Sequence, residues 1–325
     1  MHMSGLTRRI FLMGAASLLI SQLSWAGPYV APEQPTAIWR GEWKDAKRDR
    51  QVPVKIFYPT GPGPFPVVLF SHGLGGAREN YTYLGEYWAK HGFVVLHFQH
   101  IGSDDAVWRG AGGIAALRQA ATPLNAVNRA RDVSFAIDQL ETLNKDTAWP
   151  LHGKLDLAHI GMAGHSFGAN TTLMVSGQKL GGQTFTDKRI SCAIPLSSPP
   201  PALKNYDVIY GGIKIPMLHM TGTKDVSQID RRGFDPLERR LPFDNTKGAD
   251  SYLVTFEGGD HMVFSGQRRG EPVASDARNH VLIQESTNAF WDAYLKSDKK
   301  ALSWLQNDFK AELGTSGVFE QKKAN

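Results

Sequence analysis

Gly164-His165-Ser166-Phe167-Gly168 is the stretch that decides the fold of this sequence. An apolar run at 159–163 precedes it, and the run 169–175, which can pack as a helix, follows it. A strand, a serine and a helix in this order predict a sharp turn that exposes the serine hydroxyl above the start of the helix. The two glycines let neighbouring chains pass close to the turn. Ser166 is therefore a candidate nucleophile.

Strands and helices alternate on both sides of this turn. The predicted strands are residues 37–40, 51–58, 66–70, 93–98, 159–163, 189–196, 213–220 and 251–256, and the main predicted helices are 80–90, 124–143, 169–175 and 276–295. The continuous apolar run at 66–70 is typical of a strand that is buried on both faces. This alternation predicts an α/β fold, a mostly parallel sheet with helices on both faces.

Three other segments complete the predicted organisation. Residues 99–122 form a long excursion that contains glycine, and such excursions are often functional. The segment 197–212 is too short for a large helical lid, so we expect an open site. Residues 299–305 favour one more short helix, and the polar end after Gly314 is expected to be frayed.

The N-terminus has the features of an export signal. Residues 7–12, with Arg8 and Arg9, resemble a twin-arginine signal, an apolar stretch follows, and residues 24–26 offer a small-x-small cleavage site. We therefore expect 1–26 to be a signal and 27–325 to be one catalytic domain, located in the periplasm or outside the cell. After cleavage no stable membrane insertion is expected; an uncleaved membrane anchor is the alternative.

The composition is that of an ordinary globular protein. Hydrophobic residues make up 42% and charged residues 21% of the chain, and the formal net charge is +5. No stretch of lysine and arginine is dense enough to indicate a nucleic-acid partner. The single cysteine, Cys192, excludes an internal disulfide, and its apolar neighbours indicate an inert buried thiol.

A base and a carboxylate for Ser166 follow two of the predicted strands. A serine hydroxyl needs a base to take its proton, and the base needs an orienting carboxylate. Asp225 comes just past the strand that ends at 220, and His261 lies in a Gly-Gly turn past the strand that ends at 256. Because parallel strands end at one edge of a sheet, we expect the three side chains to meet there. Other aspartates compete for the role of the carboxylate: Asp207, Asp250 and Asp260.

A glycine-rich loop offers hydrogen-bond donors for an oxyanion. Residues 71–76 follow the third predicted strand, and their glycines free the backbone to turn an amide inward. We expect one donor at the amide of Leu74 and the other at the amide of Phe167, the residue after the nucleophile. His72 in this loop is interpreted as a structural histidine rather than a base.

Three motifs carry a resemblance to a known family. Residues 69–75, 92–95 and 164–168 resemble the platelet-activating-factor acetylhydrolase family of the α/β-hydrolases, close to the dienelactone-hydrolase-like esterases. The resemblance runs from about 39 to about 304. It implies a triad of Ser166, Asp225 and His261. Dienelactone hydrolases proper use a cysteine at the position of Ser166, and the serine favours a more general ester hydrolysis.

The expected activity is hydrolysis of short- to medium-chain acyl esters. Tyr81, Trp108, Met262 and Phe264 flank the expected site in the sequence and are the candidate substrate-binding residues. The histidines and aspartates of 97–105 are interpreted as a loop that lines the pocket and not as a metal cluster, so neither a metal nor a cofactor is expected. Alternatives are a lipase or polyester hydrolase on the same triad, and a non-catalytic exported binding protein of the same fold.

Overall fold

The structure is a computed structural model that describes residues 27–109, 112–230, 233–266 and 273–324. The predicted export signal, residues 1–26, lies outside these ranges. Within them, no helix is both long enough and apolar enough to cross a membrane.

One large sheet organises the described part of the chain. Its strands and a small separate hairpin are β1 (Thr36–Asp45), β2 (Arg50–Pro59), β3 (Phe65–Ser71), β4 (Val94–Phe98), β5 (Leu155–His165), β6 (Lys179–Leu180), β7 (Gln183–Thr184), β8 (Ile190–Leu196), β9 (Met217–Lys224), β10 (Ser251–Asp260) and β11 (Gly317–Lys322). The sheet has the order β1-β2-β4-β3-β5-β8-β9-β10-β11, and β6 pairs only with β7. Pairing is parallel from β4 to β10 and antiparallel at both edges. The predicted mostly parallel sheet is confirmed.

Helices cover both faces of this sheet. They are α1 (Thr82–Lys90), α2 (Ala106–Arg109), α3 (Gly113–Ala120), α4 (Pro123–Leu143), α5 (Phe167–Ser176), α6 (Tyr206–Tyr210), α7 (Leu241–Asn245), α8 (Asp276–Leu295), α9 (Lys299–Ser303) and α10 (Phe309–Leu313), with a π-helical turn at Trp304–Asp308 between the last two. One apolar core joins α1, α8 and α10 to the sheet, and a second joins α4 and α5 to the opposite face. The two cores bury both faces of the sheet, as its apolar strands require.

The C-terminal segment differs from its prediction. We expected the polar end after Gly314 to be frayed, but β11 extends the sheet by antiparallel pairing with β10. Phe319 explains the difference, because its ring is 7% exposed and packs edge-on against Phe309 and in a stack on Tyr252. A single buried aromatic side chain thus fixes this edge strand.

Two segments with little regular structure lie beside the edge of the sheet at which its parallel strands end. The excursion at 99–122 contains two short helices, α2 and α3, and the segment 197–212 contains only the short α6. Six parallel strands, β3, β4, β5, β8, β9 and β10, end at this edge. The segments that follow them, which carry the candidate residues, are therefore brought together.

Candidate active site

Ser166 lies on a strained turn between β5 and α5. Its backbone has φ 56° and ψ −116°, a region that costs a residue other than glycine about 1–3 kcal/mol. Its N–H donates to the carbonyl of Leu196 at 2.9 Å, and its carbonyl accepts from the amide of Asn170 at 3.1 Å. A side chain on Gly168 would overlap the carbonyl of Ser71, and one on Gly164 would overlap that of Gly168. The two glycines of the motif are therefore sterically required.

The side chains of the three predicted triad residues meet at the carboxyl edge. Nε2 of His261 lies 2.9 Å from Oγ of Ser166, and Nδ1 of His261 lies 2.8 Å from Oδ1 of Asp225. A carboxylate only accepts hydrogen bonds, so Nδ1 carries the proton and Nε2 is the free lone pair facing the serine. Asp225 is fully buried, His261 is 8% exposed and Ser166 is half-buried.

Three hydrogen-bond donors and one cation surround the carboxylate of Asp225. Besides His261, the hydroxyls of Thr221 and Ser197 donate to it at 2.9 Å each. Nε of the buried Arg239 donates to the backbone carbonyl of Asp225 and lies 2.8 Å from Oδ1. Burial alone would raise the pKa of this carboxyl, but the hydrogen bond and charge of His261 and the charge of Arg239 outweigh it and hold the pKa below its usual value. Asp225 is therefore an ionised, immobile acceptor for the imidazole.

Ser197 and Thr221 were not predicted from the sequence, although their positions at the ends of apolar strands were a usable signal. Ser197 directly follows the apolar strand β8, and Thr221 lies near the end of β9, where it still pairs with β10. The hydroxyl of Ser197 also lies 2.8 Å from Nδ1 of His261, so it contacts both members of the pair. No local pattern marks Arg239, which reaches the site from a 3-10 turn after β9.

The two predicted oxyanion donors lie in different segments, the loop after β3 and the first turn of α5. Leu74 belongs to the loop after β3, where the amide of Gly75 donates to the carbonyl of Ser103 at 2.9 Å. Phe167 is the first residue of α5, and the first amides of a helix have no partner within it. Among the described residues, neither the Leu74 nor the Phe167 amide has a hydrogen-bond acceptor. Both amides are available to a ligand, and their role stays a prediction.

A directional chain of hydrogen bonds braces these segments. The carbonyl of His261 can only accept, so His165 donates to it from Nε2 at 3.0 Å and accepts at Nδ1 from the hydroxyl of Tyr81 at 2.8 Å. The same hydroxyl accepts from the amide of Gly73 at 3.3 Å. Burial holds the pKa of His165 well below its usual value, which keeps the ring neutral as this chain requires. The loop after β3, the turn of Ser166 and the loop of His261 are thereby joined.

The four predicted substrate-binding residues divide into two pairs. Tyr81 is 5% exposed and its hydroxyl is engaged as described, and Phe264 is fully buried against Phe256 and His165. Both are buried among core residues, and their predicted role in substrate binding stays a prediction. Met262 is 41% exposed, and the half-buried Trp108 donates to the carbonyl of Gly75 at 2.7 Å. Met262 and Trp108 remain candidates for contact with a substrate.

A second Ser–His–Asp arrangement, which we call the buried triad, was not predicted. Oγ of Ser71 lies 2.9 Å from Nε2 of His100, and Nδ1 of His100 lies 2.9 Å from Oδ2 of Asp132. All three side chains are fully buried, and Arg48 and Arg50 each approach Asp132 to 2.8 Å. Burial lowers the pKa of His100 to about 4. The described residues contain no group of three or more metal-binding side chains that could hold an ion.

The fold and the site together define an α/β-hydrolase. The strand order, the serine on a strained turn and the order Ser166, Asp225, His261 along the chain agree with this class.

Comparisons with known proteins point to the same class. A family profile described as "Platelet-activating factor acetylhydrolase, isoform II" matches residues 49–108. The chain is 28% identical over 174 residues to platelet-activating factor acetylhydrolase of Cavia porcellus, covering 45% of this chain and 38% of that protein. It is 27% identical over 232 residues to the enzyme of the same name from Canis lupus familiaris, covering 62% and 48%.

A cutinase is also among the relatives. Cutinase est1 of Thermobifida alba is 26% identical over 124 residues, which cover 38% of this chain and 34% of the cutinase. The chain thus matches less than half of the length of each of these relatives. The predicted resemblance is confirmed: the chain is an α/β-hydrolase related to the platelet-activating factor acetylhydrolases and to other esterases of this fold.

Proposed function

We propose that the protein is a serine carboxylic-ester hydrolase that acts through Ser166, His261 and Asp225. The observation that carries this proposal is the continuous contact from Ser166 Oγ, on its strained turn, through the His261 ring to Asp225. The backbone strain of such a turn costs free energy of folding, and strain of this kind is typical of reactive residues in active sites. The names of the relatives agree with ester hydrolysis.

In the first half-reaction, Ser166 Oγ attacks the ester carbonyl carbon while Nε2 of His261 takes the hydroxyl proton. Asp225 holds the imidazole in the correct tautomer and stabilises the imidazolium that forms. The negative charge on the carbonyl oxygen is stabilised by the amides of Leu74 and Phe167, at roughly 3–4 kcal/mol for each donor in comparable sites. His261 then gives its proton to the leaving alcohol oxygen as the ester C–O bond breaks.

In the second half-reaction, water replaces the alcohol. His261 takes a proton from the water, whose oxygen attacks the acyl carbon and again forms an oxyanion at the same two amides. Collapse of this intermediate breaks the bond to Ser166 Oγ, which recovers its proton from His261. The products are a carboxylic acid and the free enzyme, and no cofactor enters either half-reaction.

For the substrate we propose short- to medium-chain acyl esters of small alcohols. The short α6 is the only helix in the segment 197–212, so no large lid there covers the serine. The similarity to a cutinase favours a second candidate, a polyester or lipase-type substrate on the same triad. We also propose that residues 1–26 export the chain and that 27–325 form the catalytic domain, which N-terminal sequencing of the exported protein would test.

The test is hydrolysis of p-nitrophenyl esters from acetate to palmitate by the full chain and by Ser166→Ala. We expect activity that is highest on short chains and absent in the variant. A maximum at long chains would favour the second candidate. If the wild-type protein hydrolyses none of these esters, the proposal is wrong and a non-catalytic binding role takes its place.

A further inference from the structure

A buried arginine lies directly beneath the loop that carries Leu74. Arg129 of α4 is fully buried, and its Nη1 donates to the carbonyl of His72 at 2.8 Å. Its Nε donates to the hydroxyl of Ser103 at 2.9 Å. Its Nη2 lies 3.0 Å from Nδ1 of His72 and 3.5 Å from the carbonyl of Gly73. The guanidinium thus faces the carbonyl oxygens of the two residues that precede Leu74.

The same guanidinium contacts the second half of the site. Its Cζ lies 4.6 Å from the centroid of the Phe167 ring, within the range of a cation–π contact. Phe167 carries the other predicted oxyanion donor on its amide. One side chain therefore touches both segments whose amides must point at a common position.

Peptide geometry converts these contacts into an orientation. The carbonyl of Gly73 and the amide of Leu74 belong to one planar trans peptide, so they point in opposite directions. The amide of His100 donates to Nε2 of His72, which places the proton of a neutral His72 on Nδ1, 2.6 Å from the Gly73 carbonyl. The same carbonyl also accepts from the amide of Gly76 at 3.0 Å. Because this carbonyl faces His72, Gly76 and Arg129, the Leu74 amide points away from these three groups.

The charge of Arg129 has different partners from that of Arg239, the other buried arginine at the site. Arg239 forms ion pairs with Asp225 and Asp230, whereas the described residues place no carboxylate within ion-pair distance of Arg129. A buried charge without a carboxylate partner is costly unless carbonyls and a ring face it, as they do here. Asp132 and Asp104 offset part of this cost from beyond ion-pair distance, and the direct contacts of the guanidinium are with the loop and with Phe167.

We propose that Arg129 is a positioning residue of the oxyanion hole, which aims the Leu74 amide and supports the Phe167 segment from below. This inference rests on the proposed function, because an oxyanion forms only if Ser166 attacks a carbonyl. Arg129 itself does not touch the substrate. Its removal therefore weakens binding of the tetrahedral intermediate and leaves binding of the ester unchanged.

The test compares Arg129→Met and Arg129→Lys by steady-state kinetics and by two inhibitors. A trifluoromethyl ketone mimics the intermediate, because Ser166 Oγ adds to its carbonyl carbon, His261 takes the proton and an oxyanion forms; the matching methyl ketone remains a plain ketone. For Arg129→Met we expect kcat to fall about 100-fold, with KM changed less than about threefold. Affinity for the trifluoromethyl ketone should fall by the same factor as kcat, and affinity for the methyl ketone should not change.

Arg129→Lys and Arg189→Met serve as matched variants. A lysine keeps the charge but can reach only one carbonyl and cannot stack flat on Phe167, so we expect an intermediate loss of about tenfold in kcat. Arg189 also packs against α4, with ion pairs to Asp138, Glu141 and Asp187, but at the start of β8, away from the site. Arg189→Met should lower stability in urea and leave kcat unchanged.

Two results would overturn the inference while the proposed function stands. One is an Arg129→Met variant that retains kcat within about threefold of the wild type. The other is an equal loss of affinity for both ketones, which would indicate general collapse of the site. If Arg129→Met does not fold, Arg129→Lys decides by the same criteria. A wild-type protein that hydrolyses no ester would instead refute the proposed function, and the inference with it.

Discussion

Two Ser–His–Asp arrangements with nearly the same distances occur in this molecule. In the candidate active site the contacts are 2.9 Å and 2.8 Å, and in the buried triad both are 2.9 Å. What differs is the setting of the serine. Ser166 is half-buried on a strained turn at the start of a helix, whereas Ser71 is the last residue of a strand and is fully buried.

The comparison teaches that hydrogen-bond connectivity alone does not make a nucleophile. A reactive serine also needs access for a substrate and donors for the oxyanion. The amides of Leu74 and Phe167, the predicted donors for Ser166, have no acceptor among the described residues, while the buried triad is enclosed and anchored by Arg48 and Arg50. We therefore interpret the buried triad as a structural support that ties β3, the segment after β4 and α4 together behind the loop of Leu74.

The largest expected difference between the two arrangements is at their carboxylates. Asp225→Asn should lower kcat for the preferred p-nitrophenyl ester by about 10⁴-fold, because the imidazole loses the acceptor that fixes its tautomer. Asp132→Asn should leave kcat within about threefold of the wild type but lower the free energy of unfolding by about 3 kcal/mol, because Arg48 and Arg50 lose their buried partner. Kinetics and urea unfolding of both variants measure this. A loss of kcat in Asp132→Asn comparable to that in Asp225→Asn would break the comparison.

The second expected effect is a contribution of the buried His100 to the pH dependence of the free energy of unfolding. The pKa of His100 is about 4 in the folded protein against its ordinary value of 6.5, so the unfolded chain binds more protons between these pH values. Its contribution to stability is therefore complete above pH 6.5 and is lost as the pH falls toward 4, by up to about 1.4 kcal/mol for each pH unit. In His100→Gln this part of the slope should be missing.

Urea unfolding of the wild type and of His100→Gln, measured from neutral pH down to about pH 5, checks the prediction. Other buried histidines also lower the free energy of unfolding in acid. The relevant quantity is therefore the difference between the wild-type and His100→Gln curves of this free energy against pH. Parallel curves would mean that His100 is not held neutral by its surroundings.

The smallest expected effect concerns the backbone strain at the two serines. Glycine adopts the backbone angles of Ser166 without strain, so Ser166→Gly should raise the free energy of unfolding by about 1 kcal/mol while abolishing activity. Ser71→Gly should lower it, since the strand loses order and Nε2 of His100 loses its donor. Thermal and urea unfolding of the two variants give the sign of the change in the free energy of unfolding. A destabilised Ser166→Gly variant would contradict the strain argument.

Much of the fold and the meeting of the triad side chains could be predicted from the sequence. Ser166 is marked by a local motif, and Asp225 and His261 each follow an apolar strand, so knowledge of where parallel strands end brings them together. Their catalytic roles stay predictions. The expectation that His72 is a structural histidine agrees with its burial and its contact with the amide of His100.

Other features could not be predicted, for physical reasons. The members of the buried triad are 29 and 32 residues apart and belong to a strand, a loop and a helix, so no local pattern links them. Tyr81 and Phe264 are close to site residues along the chain, but sequence proximity does not tell which side of a loop faces the core. Arg129 and Arg239 reach the site only through tertiary packing.

The most direct test of the central claim is to locate a fluorophosphonate label on the native full-length protein by peptide mass spectrometry. The probe reacts only with a serine that is both activated and accessible. We predict one label per chain, on Ser166, with none on Ser71. A label on Ser71, or an unlabelled Ser166, would contradict the account.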